Sequence, residues 1–438
     1  MKKIAVVGLA CPTEVGFELA PALLQKTAAA LKKEYQVIDT GTVISCPEDT
    51  RRVLTRLSGQ VLDALIVCVG TWSEDHHILQ LLGELRCFAV LHAFPSVDSG
   101  SLCATHQMAS VLTDVHVTSY AGICAEAGSD EALAAIRAAL EKATPPAGNL
   151  SRPQMTIGSV GGRVQGMTEI AFDEFALLEK CGAVVIPISE AELTELVRAA
   201  DPAAVQAVCD DLARRPYRQL SSDEALRESA AYYLAMKQLV QKYDLQGLAV
   251  RCYTGLMGKV CLGYSLLSEE GIVCSCEGDV TNTVMMRLLA DLTGGCVNHT
   301  DFLYPDEKTN SALFSHCGSC GFSMAKAPED VELAPVRLME TGVCCRFLPK
   351  TGTVTAADLV GHGDRLRMSV MVGTAIDCGM DFPGTPMRVQ FKKPVWALSQ
   401  EILKKGCGHH WMIGYGDVSA QLEDYCRAHG ILFQRVGE

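Results

Sequence analysis

Two acidic residues stand in unusual surroundings: Glu277 in IVCSCEGDV and Asp301 in VNHTDFLYPDE. Each follows an apolar, strand-like run, with a helix-forming stretch between them, and a His409–His410 pair comes late in the chain. Two carboxylates and an imidazole make an oxygen/nitrogen cage of the kind that holds a hard divalent cation. Such a cage suits chemistry on a polyol better than chemistry on a nucleotide. Glu277 also sits at the C-terminal end of a strand, where open α/β sheets place ligands, and a charge seldom ends an apolar strand without a partner. The plainer reading is that these acids cap: Asp279 is a good helix N-cap, Glu277 a poor one. Asp301 also reads as an ordinary loop residue, and His299 beside it as either a ligand or a solvated histidine. Adjacent residues of an extended segment point to opposite sides. At most one of His409 and His410 should therefore enter a given site, and both also read as surface loop residues.

The elements that must position these residues are legible as alternation. KKIAVVGLA is followed by a helical stretch from Glu14 to Lys33, then YQVIDTG, a polar helix near Pro47–Ser58, and ALIVCVG. A short helix near Asp75–Leu85 leads to FAVLHAF, a segment from Ser101 to Leu112, VTSYAGI and a helix from Asp130 to Lys142. Continuous apolar strands with intervening helices predict a parallel sheet covered on both faces. The first strand lacks Gly-x-Gly-x-x-Gly after it, so this doubly wound domain is Rossmann-like in architecture only. Ala143–Pro153 reads as a linker. A second alternating region runs through MTIGSVGGR, AVVIPIS, a helical section from Glu190 to Tyr243, GLAVRCY and IVCSCEGD. Val280, Val284, Leu288 and Leu292 place one face of the helix after Glu277 against that sheet. From about Thr300, VRLMET, TVTAADLV, RLRMSVMVGTAI and MRVQF predict a small antiparallel sheet or barrel. Asp417 can cap a helix through His429, Gly430 ends it, and ILFQRV makes a last strand. The expected fold is α/β, with Rossmann-like domains at 1–146 and 152–299 and a β-rich domain at 300–438.

Composition narrows the functional classes. The 438 residues exceed a single core; 48% are hydrophobic, 20% are charged and the net charge is −13. A nucleic-acid binder would need a basic stripe, so that class is set aside. MKKIAVVGLACP faintly resembles a secretion signal, but its short apolar stretch from Ile4 to Ala10 reads better as a first strand. No window has ~18 unbroken apolar residues, so no transmembrane helix is expected, and the expected location is cytoplasmic. The 20 cysteines are scattered, many in strand-like runs, as suits small buried hydrophobes in a reducing compartment. His316-Cys317-Gly-Ser-Cys320 with Cys344–Cys345 is the one pattern like a zinc or iron–sulfur site, and its second hook lacks the usual gap.

Taken together, CEGDV with its apolar helix, the TDF segment, SHCG and GHHWMIGYGD resemble the L-fucose/L-arabinose isomerase family. So do the opening strand, GTWSEDHHILQ at 70–80 and SVGGRVQGM at 159–167. The resemblance runs end to end, in a chain shorter than typical members. It implies a Mn²⁺-dependent aldose–ketose isomerase acting through a cis-enediolate, with two Rossmann-like domains and a β-rich domain, assembled as a homo-trimer or hexamer. On this resemblance Glu277 and Asp301 match the two acidic metal ligands that also move the proton. His410 matches the C-terminal histidine ligand by its five-residue distance to Tyr415, with His409 as the fallback. His316 matches a histidine near the site, and Trp72 a tryptophan that a neighbouring subunit places over the sugar.

Arg251-Cys252-Tyr253 departs from the neutral polar residue and tryptophan that such isomerases tend to show there. A guanidinium at 251 could fork onto a sulfonate, carboxylate or phosphate of the substrate, or pair with a structural acid; Arg163 is a second candidate. Two other readings stay open. One is a non-catalytic sugar-binding or regulatory protein, which would have little use for the cage. The other is a metal-assisted lyase or epimerase on the same intermediate.

Overall fold

The computed structural model describes residues 1–95, 99–117, 119–143, 155–253 and 255–437. The predicted linker, Ala143 apart, lies outside them. The chain forms two compact units, Met1–Gln154 and Met155–Glu438.

In the first unit, β1 (Lys3–Leu9), α1 (Ala20–Leu31), β2 (Gln36–Ile44), α2 (Pro47–Leu57) and β3 (Ala64–Val69) are followed by α3 (His76–Leu85), β4 (Phe88–Ala93), α4 (Ser101–Asp114), β5 (Tyr120–Cys124) and α5 (Asp130–Glu141). The strands form a parallel sheet in the order β2-β1-β3-β4-β5. Every residue of β3 and β4 is buried, which is why both read as unbroken apolar runs.

The second unit opens with β6 (Met155–Val160), α6 (Glu174–Cys181) and β7 (Ala183–Ile188). Three helices follow, α7 (Glu190–Arg198), α8 (Pro202–Arg214) and, after the two-residue β8 (Arg218–Gln219), α9 (Asp223–Tyr243). The sequence predicts one long helical section here. Asp201 caps Ala203 N at 3.0 Å ahead of Pro202, and Ser222 caps Ala225 N at 3.2 Å, so the section restarts twice. Next come β9 (Gly247–Val250), α10 (Cys261–Glu269), β10 (Val273–Ser275) and α11 (Val280–Thr293), giving a parallel sheet in the order β10-β9-β6-β7.

The remainder is strand-rich: β11 (Asn298–Asp306), β12 (Ser311–Ser315), β13 (Glu332–Val336), β14 (Thr341–Arg346), β15 (Gly352–Val360), β16 (Arg367–Ile376) and β17 (Met387–Gln390). α12 (Val395–Lys405), β18 (His410–Tyr415), α13 (Ser419–His429) and β19 (Leu432–Arg435) complete it. Six antiparallel strands run β15-β18-β11-β12-β17-β16, and β16 pairs back onto β15, closing a barrel. β19 joins β16 in parallel, and β14-β13-β8 make a separate small sheet. VRLMET, predicted as a strand, instead spans the turn between β13 and β14.

Two packing features position the site. α11 buries Val280, Val284, Met285 and Leu289 against β6, β9 and β10 on one side and β15 and β18 on the other. Each such side chain stabilises by about 1.5–3 kcal/mol. Leu292, expected on the packed face, is exposed because the helix runs out over solvent in its last turn. Strand β18 is buried on both faces: Trp411 and Ile413 belong to one apolar cluster, Met412 to the cluster around α11. By period-two alternation, His410 shares the Met412 face, the face toward α11.

Candidate functional site

Glu277 sits in the turn from β10 into α11. Its backbone is left-handed, with φ of 64°, and Gly278 follows at 74°. A non-glycine residue held there costs about 1–3 kcal/mol. Position 278 must be glycine on a second ground: a Cβ would stand 2.1 Å from the Gly162 carbonyl oxygen. The SVGGRV loop thus packs directly on the turn, and Val164 N donates to the Glu277 carbonyl at 3.4 Å. Glu277 N donates to Cys252 Sγ at 3.3 Å.

Asp279 caps α11, as its sequence position predicts: Oδ1 accepts from Asn282 N at 2.9 Å. It also does something a capping assignment misses. Its Oδ2 lies 2.7 Å from His410 Nδ1 and accepts from Asn282 Nδ2 at 2.8 Å. The helix cap is thereby also the carboxylate that fixes the imidazole, leaving His410 Nε2 3.1 Å from Glu277 Oε2. Asn282 Oδ1 accepts from Leu359 N, and Asp358 Oδ2 accepts from Gly408 N at 2.7 Å, tying α11, β15 and the chain entering β18 together.

Asp301 and His410 are cross-strand partners, as are His299 and Met412, so His299, Asp301 and His410 share one face. Asp301 Oδ1 stands 3.9 Å from His410 Nε2, and Oδ2 stands 3.9 Å from His316 Nε2. His316 Nε2 is also 3.9 Å from Glu277 Oε1. Glu277, Asp301, His316 and His410, named from separate sequence segments, therefore converge.

Other expectations fare differently. His299 is not solvated: it is 2% exposed, and its ring lies 4.3 Å from His410 and 4.8 Å from His316, centroid to centroid. His409 and His410 do not exclude one another. The strand begins at His410, so alternation does not govern His409, whose Nε2 is 3.9 Å from Glu277 Oε2 and whose Nδ1 meets Glu169. Arg251 pairs with Glu190 at 2.8 Å, the bland alternative. Arg163 donates to the neighbouring Val164 carbonyl. Trp72 lies in the first unit, its Nε1 donating to Gln107 at 3.0 Å.

Electrostatics follow from burial. Burial pushes the Glu277 carboxyl up, but the imidazoles of His409, His410 and His316 outweigh it and hold it well below the carboxylate range. Burial would discharge His410, yet Asp279 and Glu277 raise it to about 10 in the metal-free protein. Burial lowers His299 and His316, leaving neutral imidazoles with lone pairs to offer. Asp358 is pushed up to about 7 by burial.

These groups fit a divalent cation. Donors bound at ~2.1 Å to one octahedral ion stand about 3.0 Å apart when adjacent and about 4.2 Å when opposed, and the separations above run from 3.1 to 3.9 Å. Both nitrogens of His299, Nδ1 of His316 and Oδ1 of Asp301 are buried with no hydrogen-bond partner among the described residues, and orphaned polar atoms of this kind need an explanation. His299/His316/His410 and Glu277/His409/His410 each have ligand atoms close enough to share an ion. A third such group, Glu74/His76/His77, lies in the first unit. None of these groups contains a cysteine: His316 groups with His299 and His410, not with Cys317 and Cys320.

A cavity of about 150 Å³ opens on Glu277, Asp301 and His316 and is walled by Cys317, Arg337 and Phe382 among others. A larger one, about 450 Å³ over Arg287 and Cys296, contains none of these ligands and is set aside on chemical grounds.

The chain is similar to sulfoquinovose isomerases. That of Priestia aryabhattai is 29% identical over 206 residues, 46% of each chain. The Alkalicoccus urumqiensis protein is 27% identical over 224 residues, 50% of each, and that of Clostridium sp. (strain MSTE9) 26% over 196 residues, 43% of this chain and 44% of that one. The chain thus spans about half the length of the curated relatives it matches. No family model matches it. A solved solute-binding protein of an ABC transporter from Bacillus halodurans C-125, with bound myo-inositol, is 12% identical over 66% of this chain and 88% of that one; at a TM-score of 0.14 it carries no argument. No helix among the described residues is long and apolar enough to cross a membrane.

Proposed function

We propose that this chain is a divalent-metal-dependent aldose–ketose isomerase of the L-fucose/L-arabinose isomerase-like group, acting on an anionic aldose and using Mn²⁺. The observation that carries the proposal is the meeting of Glu277, Asp301 and His410 over a cavity, with His410 fixed by a buried carboxylate. Similarity to enzymes named for isomerising sulfoquinovose supports the substrate class.

Glu277, Asp301 and His410 would hold the cation, with His316 beside it. When bound there, a divalent ion supplies Lewis-acid polarisation of the sugar carbonyl. The protein's own residues do the rest. Isomerisation moves a hydrogen from C2 to C1 and a hydroxyl proton from O2 to O1, and two carboxylates suffice for both transfers. In this reading one of Glu277 and Asp301 takes the C2 proton and returns it at C1, while the other passes the hydroxyl proton. Asp279 keeps His410 in one tautomer and orientation, as carboxylates behind metal-bound histidines do. Trp72 belongs to the reading as a residue that closes a neighbouring copy's site in a homo-oligomer.

The test is turnover of neutral and anionic aldoses by metal-stripped protein, with and without Mn²⁺, followed by NMR. Metal-dependent ketose formation, absent in Glu277→Gln, supports the reading. Sugar binding without turnover would replace it with a sugar-binding protein.

A further inference from the structure

If the substrate is an anionic aldose, something must accept its charge in a cavity that already contains two carboxylates. Arg251 was the candidate by sequence, but its guanidinium is occupied by Glu190, and Arg163 donates to a backbone carbonyl. The cavity wall holds a different cation. Arg337, in the turn between β13 and β14, lines the same cavity as Glu277, Asp301 and His316. Its guanidinium carbon lies 4.4 Å from the ring centroid of Phe382, which lines that cavity too. No carboxylate pairs with Arg337 among the described residues. By contrast, Arg346 pairs with Glu332, and Arg388 with Asp306 and Asp381.

We propose that Arg337, its guanidinium over the ring of Phe382, is the residue that selects the anionic substituent of the sugar; this rests on the isomerase reading above. A planar guanidinium offers a sulfonate, carboxylate or phosphate two parallel N–H donors, and stacking on an aromatic face orders that fork before substrate arrives. The cavity wall then carries both signs of charge. The carboxylate–imidazole cage takes the carbonyl end of the sugar, and the unpaired cation takes the charged end. A neutral sugar leaves Arg337 unpaired but still hydrated, since its turn is exposed, so discrimination acts through gained affinity for the anion.

The experiment compares wild type, Arg337→Gln, Arg337→Lys and Phe382→Leu, all Mn²⁺-loaded, on a 6-sulfonated aldose and its neutral 6-hydroxy counterpart, with calorimetric binding of both sugars. Loss of one forked charge-assisted contact predicts a ~10–100-fold rise in KM and Kd for the sulfonated sugar in Arg337→Gln, with kcat nearly unchanged and the neutral sugar unaffected. Arg337→Lys should recover part of that loss, and Phe382→Leu should lose part of it. Equal losses on both sugars, or none on the sulfonated one, would overturn the proposal while leaving the isomerase standing. If wild type binds the sulfonated sugar through Arg337 without isomerising it, the functional reading fails and this one survives. Wild type that shows no preference for the anionic sugar refutes it as well.

Discussion

Replacing Asp279 with asparagine perturbs the cage without touching a proposed ligand. Asp279 Oδ1 accepts from the Asn282 backbone N–H, while Oδ2 faces two donors, His410 Nδ1–H at 2.7 Å and Asn282 Nδ2 at 2.8 Å. An asparagine that keeps its oxygen on the backbone N–H retains the helix cap but points its own NH₂ at those two donors. His410 must then rotate or change tautomer, and its Nε2 no longer stands ready 3.1 Å from Glu277. Loss of the carboxylate behind a metal-bound histidine typically weakens the metal by about 10–100-fold, or roughly 1.4–2.7 kcal/mol. Calorimetric titration of metal-stripped protein with Mn²⁺ measures this directly, and urea unfolding run alongside separates it from a folding defect. An Asp279→Asn protein that folds normally and binds Mn²⁺ as tightly as wild type would show that Asp279 is only a helix cap.

Glu277→Gln should abolish isomerisation and weaken Mn²⁺ while keeping the fold, checked by NMR turnover and titration. Gly278→Ala should unfold or strongly destabilise the second unit, because its Cβ would lie 2.1 Å from the Gly162 carbonyl in a left-handed turn; thermal unfolding reads this. Asp358, raised to about 7 when folded against ~3.9 unfolded, penalises its charged form. Its contribution to stability is full below pH ~4 and is lost as pH rises through 7, at up to about 1.4 kcal/mol per pH unit. Asp358→Asn should therefore flatten the pH dependence of the urea midpoint across that window. Trp411→Ala should cost about 3–5 kcal/mol, since the indole is fully buried in the apolar cluster on the β18 face away from α11.

Much of this arrangement is written locally in the chain. Alternation of apolar runs and helices gives both parallel sheets, and the Gly-punctuated stretch after Thr300 gives the barrel, because each pattern is set by neighbours in sequence. Glu277, Asp301, His316 and His410 are conspicuous because polar groups interrupt apolar runs. What stays hidden depends on partners far apart in sequence. The second role of Asp279 requires His410, 131 positions later. The burial of His299 requires β11 to pair with β18. VRLMET resembles a strand by composition, and only the β13–β14 pairing makes it a turn. Arg251 and Arg337 look alike as letters; Glu190 on α7 distinguishes them. A signal for His299 existed, since Asn298–Asp301 continues an apolar strand with His and Asp two apart, on one face.

The most direct test of the central claim is solvent-proton exchange at C2. Metal-stripped protein, with and without Mn²⁺, is incubated with a sulfonated aldose in D₂O and followed by ¹H NMR. Proton transfer by a carboxylate of the cage predicts Mn²⁺-dependent formation of ketose carrying deuterium at C1, with deuterium appearing at C2 of the remaining aldose, both absent in Glu277→Gln. Ketose formed equally by Glu277→Gln, or equally without metal, would contradict it.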